Sequence, residues 1–334
     1  MLRVAINGFG RIGRSAFKVA VEKHSDKLEI VGINDLTDSK TLAHLLKYDS
    51  NYGVWLHEVG YDETHIKVDG KDFEVFKEKE PAHLPWGKLN VAAVIESTGK
   101  FTDKEGASLH IKAGAKKVII SAPGKGEGIP TLVLGVNEDN YKGEDIVNNA
   151  SCTTNCISPV VKVINDKFGV LKAAMTTIHA YTHDQNLQDS SHKDLRRARA
   201  AAVNMVPTST GAAKATTEAI PALKGLFDGM SIRVPIIVGS ISDITFLLKK
   251  KVTIEAVNQA LEEAAEGKLK GILAVTDEPI VSSDIVGRSE SAIVDMGLTQ
   301  VVDGDLVKVF AWYDNEWGYS NRLVEQVINV GSFS

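Results

Sequence analysis

Residues 2–13, LRVAINGFGRIG, decide the fold. The run LRVAIN is apolar and has the length of a short buried strand, and it ends at Gly8. Gly8, Gly10 and Gly13 then give the spacing G-x-G-x-x-G, and an apolar helical face follows in RSAFKVAVEK. In such a unit the first glycine permits a tight turn, the second lets a pyrophosphate approach the backbone, and the third lets the helix pack close to the strand. The segment therefore predicts a strand–turn–helix unit that binds a dinucleotide.

The next apolar run, LEIVGIND over residues 28–35, supports this interpretation. It predicts a second buried strand, and it ends at Asp35, 22 residues after Gly13. An acidic group at this place hydrogen-bonds the ribose 2′-hydroxyl of NAD, whereas it repels the 2′-phosphate of NADP. A glycine-rich turn without a ligand is the alternative, but it does not account for the strand, helix, strand and acid in this order. We therefore expect dinucleotide binding, with NAD favoured over NADP.

The remaining sequence predicts two domains of different construction. Apolar runs at 91–98 and 116–123 enclose a helical stretch, which continues the strand–helix alternation of a parallel sheet. The second half has longer strands and fewer helices between them. We therefore predict an α/β protein, in which 1–150 and 316–334 form a parallel-sheet domain and 151–315 form an α+β domain with a mixed or antiparallel sheet.

Composition excludes several classes of function. The 334 residues include 38 basic and 43 acidic side chains, and the net charge of −5 argues against nucleic acid as the primary partner. No apolar run has the length of a membrane helix, and the N-terminus lacks the pattern of a signal peptide. Two cysteines do not make a disulfide framework. We therefore expect a soluble, cytoplasmic protein without a membrane partner.

The segment SCTTNC places Cys152 just before a predicted helix and Cys156 one turn further on. A helix start lowers the pKa of a thiol and supplies backbone donors, so Cys152 is a candidate nucleophile. The alternative, a small buried apolar cysteine, is the commoner role, and we expect it for Cys156. The spacing does not match a zinc site, so no metal is expected. The same helix contains Pro159, which either lies in its first turn or kinks it.

Two further patterns add candidate residues. A nucleophilic thiol needs a base, and His179 lies in an apolar stretch, TTIHAYT, where a buried histidine of the core is the alternative. Hydroxyl and basic residues at Thr182, 196–199, 208–211 and Arg233 are of the types that bind anionic oxygens. For the arginines of 196–199 a solvated charged surface is the alternative.

Taken together, NGFGRIG and SCTTN closely resemble the family of phosphorylating glyceraldehyde-3-phosphate dehydrogenases. The resemblance extends along the whole chain and includes HAYTHDQ (179–185), HKDLRRARAAA (192–202), PTSTGAAKA (207–215), GMSIRVP (229–235) and WYDNEWGYSNR (312–322). Several motifs in one order are far more specific than any one of them. The resemblance implies a Rossmann-type domain joined to a catalytic domain.

The resemblance also implies a reaction. Cys152 would be the nucleophile and His179 the base in the oxidation of glyceraldehyde 3-phosphate to 1,3-bisphosphoglycerate, a step of glycolysis and gluconeogenesis. The cysteine would form a thiohemiacetal with the aldehyde and then a thioester, which inorganic phosphate would cleave. NAD would be reduced, and backbone N–H at Cys152 together with His179 would stabilise the developing oxyanion.

Matching positions carry over further roles by resemblance. The substrate phosphate would contact Thr182 and Arg233, and the inorganic phosphate would contact Ser151, Thr153, Arg196, Thr210 and Gly211. The cofactor would contact Gly8, Gly10, Arg11, Ile12, Gly13, Asp35, Lys79, Ser121 and Asn315. The loop over 183–204 resembles the family's S-shaped loop, which lines a neighbouring subunit's cofactor site in a homotetramer.

One departure from the family pattern bears on the cofactor. Many NAD-specific members carry proline just before HKD, where this chain has Ser190 and Ser191, and small polar residues there resemble members that accept NADP. We therefore expect NAD with some use of NADP. The alternatives are erythrose-4-phosphate dehydrogenase, which shares the cysteine and histidine, and a non-catalytic binding protein on the same fold.

Overall fold

The apolar run at the N-terminus forms the centre of an eight-stranded sheet. In the computed structural model, which describes residues 1–333, β1 (Leu2–Asn7) lies between β2 (Leu28–Asn34) and β8 (Ala93–Glu96) and is parallel to both. Val4, Ala5 and Ile6 are fully buried. Parallel strands with helices on both faces have no solvent-facing side, which is why this run is continuously apolar rather than alternating.

The elements of this first unit follow one another as strand and helix, with a small antiparallel insertion. Their bounds are β1 Leu2–Asn7, α1 Arg11–Lys23, β2 Leu28–Asn34, α2 Ser39–Lys47, β3 Tyr48–Asp49, β4 Gly53–Val54, β5 Val59–Tyr61, β6 His65–Val68, β7 Lys71–Phe76, β8 Ala93–Glu96, α3 Lys104–Lys112, β9 Lys117–Ile120 and β10 Ile146–Asn148. Aspartates cap two of the helices, since Asp38 accepts from Thr41 N and Asp103 accepts from Gly106 N.

The strand order of this sheet is β10-β9-β8-β1-β2-β7-β6-β5. All neighbours from β10 to β7 are parallel, and only the β7-β6-β5 edge is antiparallel. The order therefore reverses between β1 and β8, and in open parallel sheets ligands bind beyond the carboxyl ends of the strands at such a reversal. The predicted Rossmann-type domain is confirmed.

The second unit is built around a mixed sheet. Its elements are α4 Cys152–Phe168, β11 Val170–Ala180, β12 Val206–Ser209, α5 Ala212–Ala219, β13 Phe227–Val234, β14 Ser240–Leu248, α6 Ile254–Glu266, β15 Leu273–Thr276, β16 Ala292–Asp295, β17 Gln300–Val302 and β18 Leu306–Tyr313. The last helix of the chain, α7 Trp317–Gly331, belongs from residue 320 onward to the first unit. The strand order is β12-β13-β11-β14-β18-β16-β15, with β17 paired to β18. The central pairs β11-β14 and β14-β18 are antiparallel, whereas β11-β13 is parallel. The predicted α+β domain with a mixed sheet is confirmed.

Helix α4 is long and mostly buried. Its apolar side chains, such as those of Ile157, Val160 and Ile164, are fully buried. Pro159 lies inside the helix rather than in its first turn. Of the two expectations for Pro159, the first-turn position is therefore wrong. A proline inside a helix lacks the N–H that would bond to the carbonyl one turn earlier.

The described chain divides into two units whose limits differ in detail from the predicted domains. The first contains residues 1–132, 139–150 and 320–333, and the second contains 133–138 and 151–319. The short segment 133–138 thus belongs to the second unit, where a Cβ at Gly135 would meet Leu269. Among the helices of residues 1–333, none is long and apolar enough to cross a membrane.

Candidate active site

The three glycines of the first turn have different surroundings. Gly8 has φ +93°, and a Cβ there would lie 2.7 Å from the backbone nitrogen of Thr98. A Cβ at Gly13 would lie 2.1 Å from the carbonyl oxygen of Gly8. At Gly10, by contrast, no described atom lies within 4 Å of the Cβ position, and the residue is exposed. The backbone is therefore open at Gly10, where a phosphate could approach it.

Asp35 lies directly beside this turn. Its Oδ2 accepts from the N–H of Phe9 at 2.8 Å, and its Oδ1 accepts from the N–H of Thr37 at 2.9 Å. Two backbone donors thus fix the carboxylate at the carboxyl end of β2. Its half-exposed position leaves the remaining lone pairs available to a ribose hydroxyl.

A cleft of about 440 Å³ opens at this edge of the parallel sheet. The residues that line it follow several strands, namely Asn7, Gly8, Gly10, Asn34, Asp35, Leu36, Glu78, Lys79, Ser97, Thr98, Lys100 and Phe101. The cleft thus includes four of the predicted cofactor residues: Gly8, Gly10, Asp35 and Lys79. An open glycine backbone, a fixed carboxylate and a helix start are the features that a dinucleotide requires, so these residues fit NAD.

The remaining predicted residues of the first unit lie outside that lining. Ile12 and Gly13 are in the first turn of α1, which begins after Gly10 without a side-chain cap. Ser121 follows β9, and its N–H donates to the carbonyl of Glu96 at 2.9 Å. The guanidinium of Arg11 pairs with Asp49 at 2.7 Å, so in this structure its charge is directed to a carboxylate of the protein.

Cys152 is the first residue of α4, and its position follows from the residues before it. Ser151 caps the helix, because its Oγ accepts from Thr154 N at 3.1 Å. Ala150 has φ +55°, a left-handed value that is rare outside glycine, and its N–H donates to Asn148 Oδ1 at 3.0 Å. Such backbone strain next to a candidate nucleophile is typical of functional sites.

The structure brings Cys152 and His179 together. Cys152 Sγ lies 3.4 Å from Nε2 of His179, which is near the end of β11 and only 2% exposed. Nδ1 of the same ring lies 2.6 Å from the carbonyl oxygen of Ala180. A carbonyl only accepts, so Nδ1 carries the hydrogen and Nε2 presents its lone pair to the thiol. This is the arrangement of a nucleophile with its general base.

Electrostatics keep the imidazole of His179 neutral. Burial lowers its pKa to about 3, with a further contribution from the cation of Arg233, while the bond to Ala180 opposes the shift. Burial also raises the pKa of the Cys152 thiol, although the residue keeps some exposed surface, and Arg233 and Thr153 oppose that rise. A neutral imidazole beside a thiol can accept its proton, because the proton then moves within the pair.

Arg233 lies at the end of β13 and completes this group. Its Nη1 is 3.1 Å from Nδ1 of His179, 3.2 Å from the carbonyl of Ala180 and 3.4 Å from Oγ1 of Thr182. Its Nε is buried without a hydrogen-bond partner in the described chain. Burial lowers its pKa from the usual arginine value. A buried cation with an unused donor beside the Thr182 hydroxyl has the chemistry of an anion site.

The loop before β12 directs the side chains of its two adjacent arginines, Arg196 and Arg197, differently. Arg196 is exposed, and its backbone N–H donates to Asp194. Arg197 instead pairs with Asp184 and donates from Nε to Oγ1 of Thr208 at 2.9 Å. Its charge also depresses the pKa of His179 and of Arg233, which places it near both. Arg197 is therefore the arginine whose side chain faces this group of residues, and the anion contact expected of Arg196 stays a prediction.

The other predicted phosphate residues are divided between two helix starts. Ser151 and Thr153 are at the start of α4, whereas Thr210 and Gly211 precede α5, and Thr210 Oγ1 accepts from Ala212 N at 3.2 Å. Gly211 is exposed, and a Cβ there would meet no described atom within 4 Å. Open backbone at a helix start is compatible with an anion, but these residues stay predictions.

Tyr313 is a residue that the sequence reasoning missed. Its hydroxyl lies 2.9 Å from Thr153 Oγ1 and 2.8 Å from Thr177 Oγ1, and its ring meets that of His179 edge-on with centroids 5.9 Å apart. It is 1% exposed, and burial raises its pKa. Every second residue of β18 is buried, and Tyr313 lies on this buried face. The two-residue period of a strand is the signal that could have identified it.

Asn315, predicted to contact the cofactor, is held by the residues that precede and begin β14. Asn315 follows β18 and is 5% exposed, and its Oδ1 accepts from Gly239 N at 3.1 Å and from Ser240 Oγ at 3.0 Å. With its oxygen held in this way, the amide nitrogen is the group left to contact a ligand. Residues 1–333 contain no group of three or more histidine, cysteine or acidic side chains placed to hold a metal ion.

Both halves of the chain match models of known protein families. Residues 2–104 match the family described as the glyceraldehyde 3-phosphate dehydrogenase NAD binding domain, and residues 151–315 match the C-terminal domain of the same enzymes. The chain is 55% identical over 333 residues to "Glyceraldehyde-3-phosphate dehydrogenase 2" of Streptomyces avermitilis, covering 99% of both chains.

Two mycobacterial relatives give the same result. The chain is 56% identical over 337 residues to the glyceraldehyde-3-phosphate dehydrogenase of Mycolicibacterium smegmatis. It is 55% identical over 336 residues to that of Mycobacterium tuberculosis. In both cases the match covers 99% of this chain and 98% of the relative.

Proposed function

Since the chain belongs to the glyceraldehyde 3-phosphate dehydrogenase family, we propose that it oxidises its substrate through a covalent thioester on Cys152. The reaction is the NAD-dependent oxidation of glyceraldehyde 3-phosphate, a step of glycolysis. The observation that carries the proposed mechanism is the 3.4 Å contact between Cys152 Sγ and His179 Nε2, with the opposite ring nitrogen held by a carbonyl.

The first half of the reaction attaches the substrate to the enzyme. His179 Nε2 takes the thiol proton as Cys152 Sγ forms a bond to the aldehyde carbon, which gives a thiohemiacetal once the carbonyl oxygen is protonated. His179 then accepts the hydroxyl proton of the thiohemiacetal as that carbon is oxidised to a thioester. NAD, when bound, supplies the two-electron acceptor for this oxidation by taking a hydride.

The second half releases the product. Inorganic phosphate attacks the thioester carbon, the bond from carbon to Sγ breaks, and the thiol of Cys152 regains a proton while 1,3-bisphosphoglycerate leaves. A thioester keeps most of the oxidation energy, which would be lost if water cleaved it. The unpaired backbone N–H groups at the start of α4, beside Cys152, would stabilise the oxyanion that develops in this step.

Two anion sites would hold the phosphates. The pairing of Arg233 with Thr182 supports a site for the phosphate of the substrate. Arg196, Thr210, Gly211 and the α4 start residues Ser151 and Thr153 are the candidates for inorganic phosphate, together with Arg197, whose side chain faces the site. The inorganic phosphate remains a proposed second substrate.

The cofactor would lie in the cleft beside the glycine turn, with Asp35 on the adenosine ribose. The residues proposed to contact it are Gly8, Gly10, Arg11, Ile12, Gly13, Asp35, Lys79, Ser121 and Asn315. NAD is the cofactor. A smaller use of NADP is proposed from Ser190 and Ser191, which are both exposed in the loop before Arg197. The domains proposed for these roles are 1–150 with 316–334 and 151–315.

We further propose that the protein acts as a homotetramer in the cytoplasm. The loop over 183–204 and the residues beside it carry exposed apolar side chains, since Leu187, Leu195, Val203 and Met205 are each at least 75% exposed. Exposed apolar groups of this kind mark protein interfaces. The compartment is proposed because the cysteines are free thiols, and a reducing environment preserves a thiol nucleophile.

Initial rates of NADH formation test the function. With glyceraldehyde 3-phosphate and NAD, the rate should depend on inorganic phosphate, and arsenate should replace it. Equal rates without either anion would reject the phosphorolysis step and favour the hydrolytic alternative, for which erythrose 4-phosphate is the comparison substrate. Complete lack of NADH formation would favour the non-catalytic alternative.

A further inference from the structure

A continuous line of buried hydrogen bonds runs beneath the dinucleotide cleft, and the reaction does not use it. It begins at Trp86, whose Nε1 donates to Nδ1 of His110 at 3.0 Å. His110 Nε2 lies 3.0 Å from Glu96 Oε2. Trp86 and His110 are fully buried and Glu96 is 1% exposed, so water does not compete for these bonds.

The line continues from Glu96 to the ends of the neighbouring strands. Asn7 Nδ2 donates to Glu96 Oε2 at 2.5 Å, and Asn34 Nδ2 donates to Asn7 Oδ1 at 2.7 Å. Asn34 in turn binds the backbone of Glu78 through both its oxygen and its nitrogen. The side chains therefore connect the carboxyl ends of β8, β1 and β2 with the segment after β7. Asn7, Asn34 and Glu78 line the cleft themselves.

Glu96 is the charged centre of this line. Its Oε1 accepts from the N–H of Thr98 at 2.8 Å and from the hydroxyl of Thr98, while its Oε2 accepts from Asn7 and His110. Four donors surround the carboxyl group, so both of its oxygens act as acceptors. Thr98 is also the residue whose backbone nitrogen would touch a Cβ at Gly8, 2.7 Å away.

The tautomer of His110 follows from its partners. The indole N–H of Trp86 is only a donor, so Nδ1 of His110 accepts and Nε2 carries the hydrogen toward Glu96. Nε2 and Asn7 Nδ2 are 3.3 Å apart because both donors converge on one carboxylate oxygen. The direction of every bond is thus fixed from Trp86 to Glu96 and from Asn34 through Asn7 to Glu96.

We propose that Glu96, oriented by His110, is a positioning residue for the dinucleotide cleft: its carboxylate holds the Gly8 turn, through Asn7, at a fixed spacing from the Thr98 loop. The cofactor enters between these two segments, so their spacing sets its affinity. The proposal rests on the assignment of this cleft to NAD. Neither Glu96 nor His110 is a catalytic residue, because neither lines the cleft.

The decisive variant is Glu96→Gln, which keeps the shape and replaces one acceptor oxygen by an amide donor. The donors from Thr98 and those from Asn7 and His110 cannot all be satisfied, so we expect the dissociation constant and the KM for NAD to rise about tenfold. The KM for glyceraldehyde 3-phosphate and kcat at saturating NAD should stay within about twofold. Thr98→Val, which removes one donor of four, is the milder second variant and should raise the NAD dissociation constant by about threefold.

A charge exchange provides the rescue. In the double variant Asn7→Asp with Glu96→Gln, the carboxylate introduced at position 7 can accept from His110, from Asn34 and from the amide introduced at position 96. Thr98 still donates to the oxygen of that amide. His110 thus changes its acceptor from position 96 to position 7, whose side-chain atom is 3.3 Å away, and every donor of the line again has an acceptor. We expect the double variant to bind NAD more tightly than Glu96→Gln alone, so that the two substitutions are non-additive. Additive losses would overturn the proposed network.

Two controls separate the possible outcomes. Val68→Ala removes buried volume from β6, at a residue that is 2% exposed, and should lower the melting temperature without raising the KM for NAD. If Asp35→Ala leaves NAD affinity unchanged, the assignment of this cleft to NAD fails. If Asp35→Ala weakens NAD and a folded Glu96→Gln protein binds NAD within twofold of the parent, the positioning role is wrong.

Discussion

The guanidinium of Arg233 lies 3.1 Å from Nδ1 of His179, at the ring nitrogen that does not face Cys152. A single cation is therefore adjacent to the proposed base and to the Thr182 hydroxyl, where the substrate phosphate is expected. A bound phosphate would offset this positive charge and make it easier for His179 to accept a proton. We therefore expect substrate binding and activation of the base to be coupled through this contact.

Replacing the nucleophile should abolish oxidation and leave cofactor binding intact. In Cys152→Ser the hydroxyl is a much weaker nucleophile than the thiol, so NADH formation should fall by about a thousandfold or more. Binding of NAD, measured by titration calorimetry, should stay unchanged. Cys156→Ser is the matched control, because its Sγ is buried and lies 3.7 Å from the carbonyl of Ala311. A fully active Cys152→Ser protein would remove the proposed nucleophile.

Replacing the base should slow the formation of the thioester. His179→Asn keeps a polar group but cannot accept the thiol proton, and we expect kcat to fall about 10²- to 10⁴-fold. Alkylation of Cys152 by iodoacetamide should slow in the same variant, since no base is left to accept the proton of the thiol. Rapid-mixing measurement of the first turnover checks the effect directly. An unchanged alkylation rate would show that His179 does not act on this thiol.

Arg233 should influence the pH dependence of catalysis as well as substrate affinity. The pKa of His179 is lowered to about 3, so the imidazole remains an available base as pH falls towards that value. In Arg233→Gln the cation is absent and the pKa of His179 rises. The imidazole of the variant therefore becomes protonated, and stops acting as a base, at a higher pH than in the parent. The acid limb of kcat should therefore move to higher pH, with a raised KM for glyceraldehyde 3-phosphate. An acid limb at the parent position would contradict the coupling.

Asp35 should select the cofactor. Asp35→Ala removes the carboxylate that is expected to accept the ribose hydroxyl, so NAD should bind about tenfold to a hundredfold more weakly. NADP should be affected less, because the repulsion of its 2′-phosphate is also removed. Dissociation constants for both cofactors test this. Equal losses for NAD and NADP would show that Asp35 acts only by holding the Phe9 and Thr37 backbone.

The loop over 183–204 should control assembly. Leu195 is 81% exposed, and Leu195→Asp would place a charge in the proposed interface between subunits. We expect sedimentation velocity to show a tetramer for the parent and smaller species for the variant. Val302→Asp, at a residue 58% exposed on β17, is the control for a surface charge outside the loop. A monomeric parent protein would reject the assembly proposed here.

The fold was accessible from sequence because it depends on local patterns. The apolar run before Gly8 and the acid at Asp35 have meanings that hardly change with context. The order of the strands β10-β9-β8-β1-β2-β7 follows from the rules that govern such units. Family resemblance then supplied the roles of Cys152 and His179, whose proximity no local pattern could establish, since 27 residues separate them.

Sequence does not determine what depends on side-chain direction. Arg196 and Arg197 are adjacent and of the same type, and only the path of the loop decides which of the two side chains turns inward. The position of Pro159 within α4 depends on where the helix begins, which is the least certain feature of a helix read from sequence. Glu96 and His110 gave no signal, because a charged residue in a predicted buried strand identifies neither its partner nor its purpose.

The different surroundings of the three glycines have a consequence for how this chain can diverge. Gly8 and Gly13 are limited by contacts within the protein itself, at 2.7 Å and 2.1 Å, so any descendant that folds must retain them. Gly10 touches no described atom, and only a bound cofactor would restrict it. A lineage that kept the fold but abandoned the dinucleotide would accumulate substitutions first at Gly10. Selection for folding and selection for binding therefore leave separate traces within one short motif.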